Sequence, residues 1–144
     1  MEHHGDGPAR ILVAVDGSDT SLRAGAYAAG LARRQHARLI CLYVRSTRSL
    51  AGLSPGLAGP LREATDAVVR ELRESAESSG RRLGITVEFL ERAGNPATEI
   101  ARAADELTVD AVVVGASTQA GHRFVGSIAG HLVRVARWPV TVVP

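Results

Sequence analysis

Apolar residues along the chain fall into two alternating patterns: short unbroken runs, and stripes spaced three or four positions apart. Residues 10–16, Arg-Ile-Leu-Val-Ala-Val-Asp, form a run rich in β-branched side chains that closes on Asp16-Gly17-Ser18. A continuous run of this kind predicts a strand buried on both faces, followed by a turn. Ser18 is placed to cap the next helix and Asp19 falls at its positive end, so the Ala-rich segment to about His36 reads as helical. Residues 38–44 repeat the buried-strand pattern.

Residues 46–60 hold three Gly and two Pro and no periodicity, which predicts a long loop, either a lid or a flexible connector. From Leu61 the positions Leu61, Ala64, Val68, Leu72 and Ala76 mark one helical stripe that runs to about Leu83. Residues 85–90 alternate as a short strand. Asn95 can then cap a helix that has Pro96 at its first position and Ile100, Ala103, Ala104 and Leu107 on one side. Asp110 opens the most apolar strand, Ala111-Val112-Val113-Val114, which ends at Gly115. Residues 127–137 read as a helix through Ile128, Leu132 and Val135, and residues 138–143 as a closing strand. The order β-α-β-α-β-α-β-α-β predicts a single α/β domain over residues 10–144, preceded by a flexible tail at residues 1–9. Its core is a five-stranded parallel sheet with helices on both faces. Sheets of this kind bind ligands at the carboxyl ends of strands where the strand order reverses.

Composition narrows the chemistry. All 17 basic residues are Arg, so a Walker A phosphate loop and a Schiff-base lysine are excluded for want of an ammonium group. The Arg residues are scattered, and the five aromatic residues form no stacking row, so no nucleic-acid partner is expected. No apolar run reaches the roughly 18 residues that cross a bilayer, and the polar start lacks the apolar stretch of a signal peptide. A cytoplasmic protein without a membrane partner is the expectation. Cys41, alone in an apolar run, reads as a core residue, and His3 and His4 as a solvated tail rather than a metal site. Gly115-Ala116-Ser117-Thr118-Gln119 is not a nucleophile elbow, and no catalytic residue is assigned.

Two strand ends carry the candidate chemistry. Asp16 can accept a hydrogen bond from an amino or hydroxyl group, while residues 115–127 form a Gly- and hydroxyl-rich loop that leads into a helix N-terminus. Backbone N–H groups there, together with the helix dipole, make an anion site. The alternative is that the glycines serve only tight turns.

In its opening Ile-Leu-Val-Ala-Val-Asp16-Gly17-Ser18, its Gly94-Asn95-Pro96-Ala97, its Asp110 to Gly115 strand, Gly126-Ser127 and its closing Pro139-Val140-Thr141-Val142-Val143, the chain resembles the universal stress proteins. The resemblance implies a Rossmann-like α/β sandwich of the adenine-nucleotide α-hydrolase-like group, usually a homodimer, in which many members bind ATP. By that likeness Asp16 contacts adenine and Val44 lies beside the base. The family's phosphate loop reads Gly, two residues, Gly, nine residues, Gly, then Ser or Thr. Gly115, Gly126 and Ser127 match it, but Thr118 stands at the second Gly position and the loop is two residues short. Gly121 can take over that role by a shifted path, and His122 and Arg123 can add charge for phosphate.

Two functions follow as expectations. The first is a cytosolic stress-response protein that binds ATP, with Mg²⁺, or another adenine nucleotide at the ends of strands one and four, with at most weak ATP hydrolysis. The second is a dimeric interaction module for unknown protein partners, which binds no nucleotide. An ATP pyrophosphatase of the wider group would need a Ser-Gly-Gly loop after strand one, which Asp16-Gly17-Ser18-Asp19 does not supply. Trp138 is expected in packing or at a subunit interface, and the final strand is expected to pair with its copy in a homodimer.

Overall fold

The computed structural model describes residues 7–46, 52, 54–117 and 126–144. In chain order its elements are β1 (Arg10–Ala14), α1 (Asp19–Gln35), β2 (Arg38–Ser46), α2 (Pro55–Leu83), β3 (Val87–Gly94), α3 (Pro96–Glu106), β4 (Ala111–Gly115), α4 (Ser127–Val135) and β5 (Val140–Val143). The five strands form one parallel sheet in the order β3-β2-β1-β4-β5. This is the α/β fold that the alternating pattern predicts.

Each central strand feeds two cores, because successive side chains point to opposite faces. Ile11, Val13, Leu39, Cys41 and Val113 pack against α1 and α2, where Ala24, Ala28 and Ala32 let α1 lie close to the sheet. Leu12, Ile40, Leu42, Val112 and Val114 pack against α3 and α4, through Ile100, Ala103, Ala104 and Leu132. Cys41 is a buried core residue, and desolvation pushes its thiol up to about 12. Trp138 also belongs to the second core, and its Nε1 donates to Asp105 Oδ1 at 3.2 Å. That contact accounts for the Trp by packing within one chain.

Several boundaries differ from the sequence reading, each for a local reason. The segment 46–60 is not loop throughout, since α2 begins at Pro55. Ser54 takes the extended N-cap conformation, and Pro55, with φ already fixed, needs no N–H partner at the first position. Pro60, in the second turn, gives up one backbone bond without ending the helix. β2 extends to Ser46 and β3 shifts to Val87–Gly94, because the two pair without a break from Leu39–Val87 to Ser46–Gly94. The closing strand starts at Val140, since α4 ends at Val135 and Pro139 offers no N–H to a ladder.

Leu132 is fully buried and carries α4 onto the second core. Replacing it with Ala should cost about 2 to 5 kcal/mol by the usual cavity penalty. The drop should appear as a lower urea midpoint at unchanged slope.

Candidate functional site

The chain moves outward from β1 through β2 to β3 on one side, then returns to place β4 and β5 on the other. The segments leaving β1 and β4 therefore diverge, and a cleft opens between them, as doubly wound sheets require. The cleft has a volume of about 740 Å³, within the range of small-molecule sites. Its floor is apolar, made by Ala14, Leu42, Val44 and Ile100, and its rim is polar, made by Asp16, Ser18, Thr20, Ser21, Ser117 and Ser127.

Asp16 stands in the turn after β1, where Val15 N–H still bonds the Leu42 carbonyl at 2.9 Å. The Ser18 N–H donates to Asp16 Oδ1 at 2.8 Å, and Asp16 N–H donates to Ser21 Oγ at 3.1 Å. Burial raises the Asp16 carboxyl, but hydrogen bonding by Ser18 and Ser21 outweighs it and holds the group below its ordinary value. Asp16 is therefore an ionised, acceptor-only group at neutral pH.

Three helix N-termini meet at the cleft: α1 at Ser18, α3 at Pro96 and α4 at Gly126 and Ser127. In α1, Ser18 Oγ accepts from Ser21 N–H, and in α3, Asn95 Oδ1 accepts from Thr98 N–H, so both ends are capped by their own side chains. The N-cap of α4 is Gly126, which has no side chain to offer. Its first-turn residues Ser127, Ile128 and Ala129 line the cleft, and first-turn N–H groups of a helix have no partner within it, the arrangement by which helix N-termini receive anions.

The structure thus brings together Asp16, Val44, Gly115, Gly126 and Ser127 of the residues singled out from sequence. Gly115 is glycine for a reason other than phosphate contact. A Cβ there would lie 2.6 Å from the Thr20 carbonyl carbon and 2.8 Å from the Ser21 nitrogen, so the start of α1 rests directly on the end of β4. At Gly126 a Cβ would meet the Ser117 Cβ at 2.6 Å, so the entry to α4 packs on the exit from β4. Thr118, Gly121, His122 and Arg123 lie outside the described residues. Thr20, Ser21, Pro96 and Ile100 line the cleft without having been singled out. The hydroxyl run Ser18-Asp19-Thr20-Ser21 was the available signal for the first two. Among the described residues no group of three or more His, Cys, Asp or Glu is placed to hold a metal ion, and no helix is long and apolar enough to cross a membrane.

The sequence profile of the Universal stress protein family matches residues 8–144. The chain is 31% identical over 144 residues to Universal stress protein YxiE of Bacillus subtilis, covering 93% of this chain and 97% of that protein. Among solved structures, the universal stress protein UspA of Lactobacillus plantarum superposes with a TM-score of 0.77 at 28% identity, over 94% of this chain and 97% of its own. A universal stress protein solved in complex with cAMP superposes with a TM-score of 0.68 at 25% identity, over 94% and 96% of the two chains.

Since backbone atoms occupy the place of a Gly115 side chain, Gly115→Ala should destabilise the protein by about 1 to 3 kcal/mol, whether or not a ligand is present. A thermal melt without any ligand checks this. An unchanged melting temperature would mean that α1 does not rest on β4 as described.

Proposed function

The chain belongs to the universal stress protein family, and from that premise we propose that its cleft binds an adenine nucleotide. The observation that carries this reading is the pairing, in one cleft, of an ionised acceptor at Asp16 with the N-terminus of α4, whose N-cap Gly126 has no side chain of its own. One end of the cleft suits a base bearing an amino donor, resting on the apolar surface of Val44 and Leu42. The other end suits phosphate, received by the N–H groups of Ser127, Ile128 and Ala129. A structural relative solved with cAMP supports the same ligand class. ATP is one candidate and would bring Mg²⁺ with its phosphates. We read the protein as a cytoplasmic stress-response binding protein rather than an enzyme.

We also infer a homodimer through β5. This edge strand is short and uncharged, with all four residues half-buried in the monomer. Exposed edges of that kind are normally covered or charged. An antiparallel copy across a two-fold axis would cover it.

Calorimetric titration of nucleotide-stripped protein with AMP, cAMP and ATP plus Mg²⁺ should show saturable binding of at least one. Asp16→Ala should weaken it about tenfold or more, the loss of one hydrogen bond to a charged group. No heat from any of the three with wild-type protein would sink the nucleotide reading. For the dimer, sedimentation velocity should report two chains for wild type and one for Thr141→Lys, with the fold retained. A monomeric wild type would remove the dimer.

A further inference from the structure

A second, smaller cavity opens at the other end of the sheet from the cleft, where β1 and β2 begin and α3 ends. It holds about 280 Å³. Arg10 and Arg38, the first residues of β1 and β2, line it together with Ile40, and Glu88 of β3 stands beside them. Glu106, Leu107 and Thr108 close it from the end of α3.

The charges in this lining are not matched to one another. Arg10 and Arg38 are register partners, so both leave the sheet on the face that carries Leu12 and Ile40 and packs against α3. Like charges side by side on neighbouring strands repel. Among the described residues neither arginine has an ion-pair partner. Arg10 Nη1 donates to the Leu107 carbonyl at 3.2 Å, which ties that guanidinium to the end of α3. Asp110 is engaged with backbone instead, its Oδ2 accepting from the Ala9 and Arg10 N–H groups at 2.9 Å each. Of the two carboxylates in the lining, Glu106 is already bound by Arg92 at 2.8 Å. Glu88 lies opposite Ile40 in the β2–β3 register, hence on the same face as the arginines, and has no ion-pair partner among the described residues.

Thr108 is unusual in its own way. In the turn that ends α3, Val109 N–H bonds the Ala104 carbonyl at 3.1 Å, and the left-handed position, where Gly is usual, is Thr108 with φ 52°. A β-branched residue is strained there, and strain of this kind gathers at binding sites.

We propose that this cavity binds a free α-amino acid as its zwitterion. The carboxylate bridges Arg10 and Arg38, whose forked donors suit it and whose repulsion it relieves. The ammonium pairs with Glu88, and Ile40 and Leu107 supply apolar surface for the carbon skeleton. A simple anion would meet Glu88 and a simple cation would meet two arginines, so the lining favours a ligand that carries both charges. The site lies away from Asp16 and the start of α4, and the inference does not depend on the nucleotide reading.

The test is an amide ¹H–¹⁵N NMR titration of the full chain with glycine, L-alanine, L-leucine and L-glutamine, against acetate and methylammonium at matched ionic strength. At least one amino acid should shift the Arg10, Arg38 and Glu88 amides saturably, about tenfold or more tighter than either control, the scale of one hydrogen bond to a charged group. The Asp16 and Ser127 amides should stay in place, which separates this site from the cleft. Arg38→Gln and Glu88→Gln should each weaken binding by about tenfold or more. Without ligand, Arg38→Gln should melt no lower than wild type, because it removes a like-charge contact. No saturable shift with any of the four, or acetate bound as tightly as the amino acids, would overturn the proposal. So would equal drops in melting temperature for the two single variants with no further drop in the double variant, since Arg38 and Glu88 would then be pairing with each other.

Discussion

The site depends on the place where the start of α1 rests on the end of β4. Gly115 lets Thr20 and Ser21 approach within a distance that no side chain would permit. The contact lies at the reversal of strand order, between the two halves of the sheet. It therefore does two things at once. It closes one side of the cleft's rim, and it holds the turn bearing Asp16 against β4, so that what leaves β1 and what leaves β4 face one space.

The second constraint is how each helix end is satisfied. Every α-helix leaves its first N–H groups without internal partners. At α1 and α3 the chain spends Ser18 and Asn95 on them, which fixes those turns and withdraws part of their donor capacity. At α4 it places Gly126 instead, and Gly126 is required for another reason, since Ser117 occupies the space a side chain would need. Close packing of β4 against α4 and an N-cap without a side chain are thus the same structural fact.

The fold was legible because strands buried on both faces write continuous apolar runs, and helices on a sheet write stripes. Ile11 to Val13 and Val112 to Val114 could not be read otherwise. What was not legible came from relations between segments. The helical start at Pro55 was hidden because Gly and Pro dominate residues 55–60, although Pro at a first helical position favours a helix. The extent of β3 was hidden because its length is set by the partner strand β2 and not by its own alternation. At the site, Asp16 and Ser127 were readable from position alone, at a strand end and a helix start. Gly115 was found for a partial reason, because its nearest neighbour, Thr20, is far away in sequence. Ser21 was missed for the complementary reason, since it reads as an ordinary first-turn residue until its bond to Asp16 is seen.

The arginine-only composition gives the electrostatics of the cleft a particular character. Among the described residues, the arginines with defined ion-pair partners lie outside the cleft lining: Arg45 bridges Asp66 and Glu91, Arg92 meets Glu106, Arg102 meets Glu99 and Arg137 meets Asp105. Arg45 ties β2 to α2 and to β3, Arg92 ties β3 to α3, and the Arg102 pair lies within α3; at the surface each adds little to stability. Within the described lining, positive potential comes from backbone dipoles at helix ends, and negative charge from Asp16. Dipoles set by the fold do not swing away as a lysine side chain can, and need no side-chain ordering when an anion arrives. A carboxylate can then share the cleft with an anion seat without collapsing onto a mobile cation. The polarity of the site, an acceptor at the β1 end and donors at the α4 end, is built into the chain's turns.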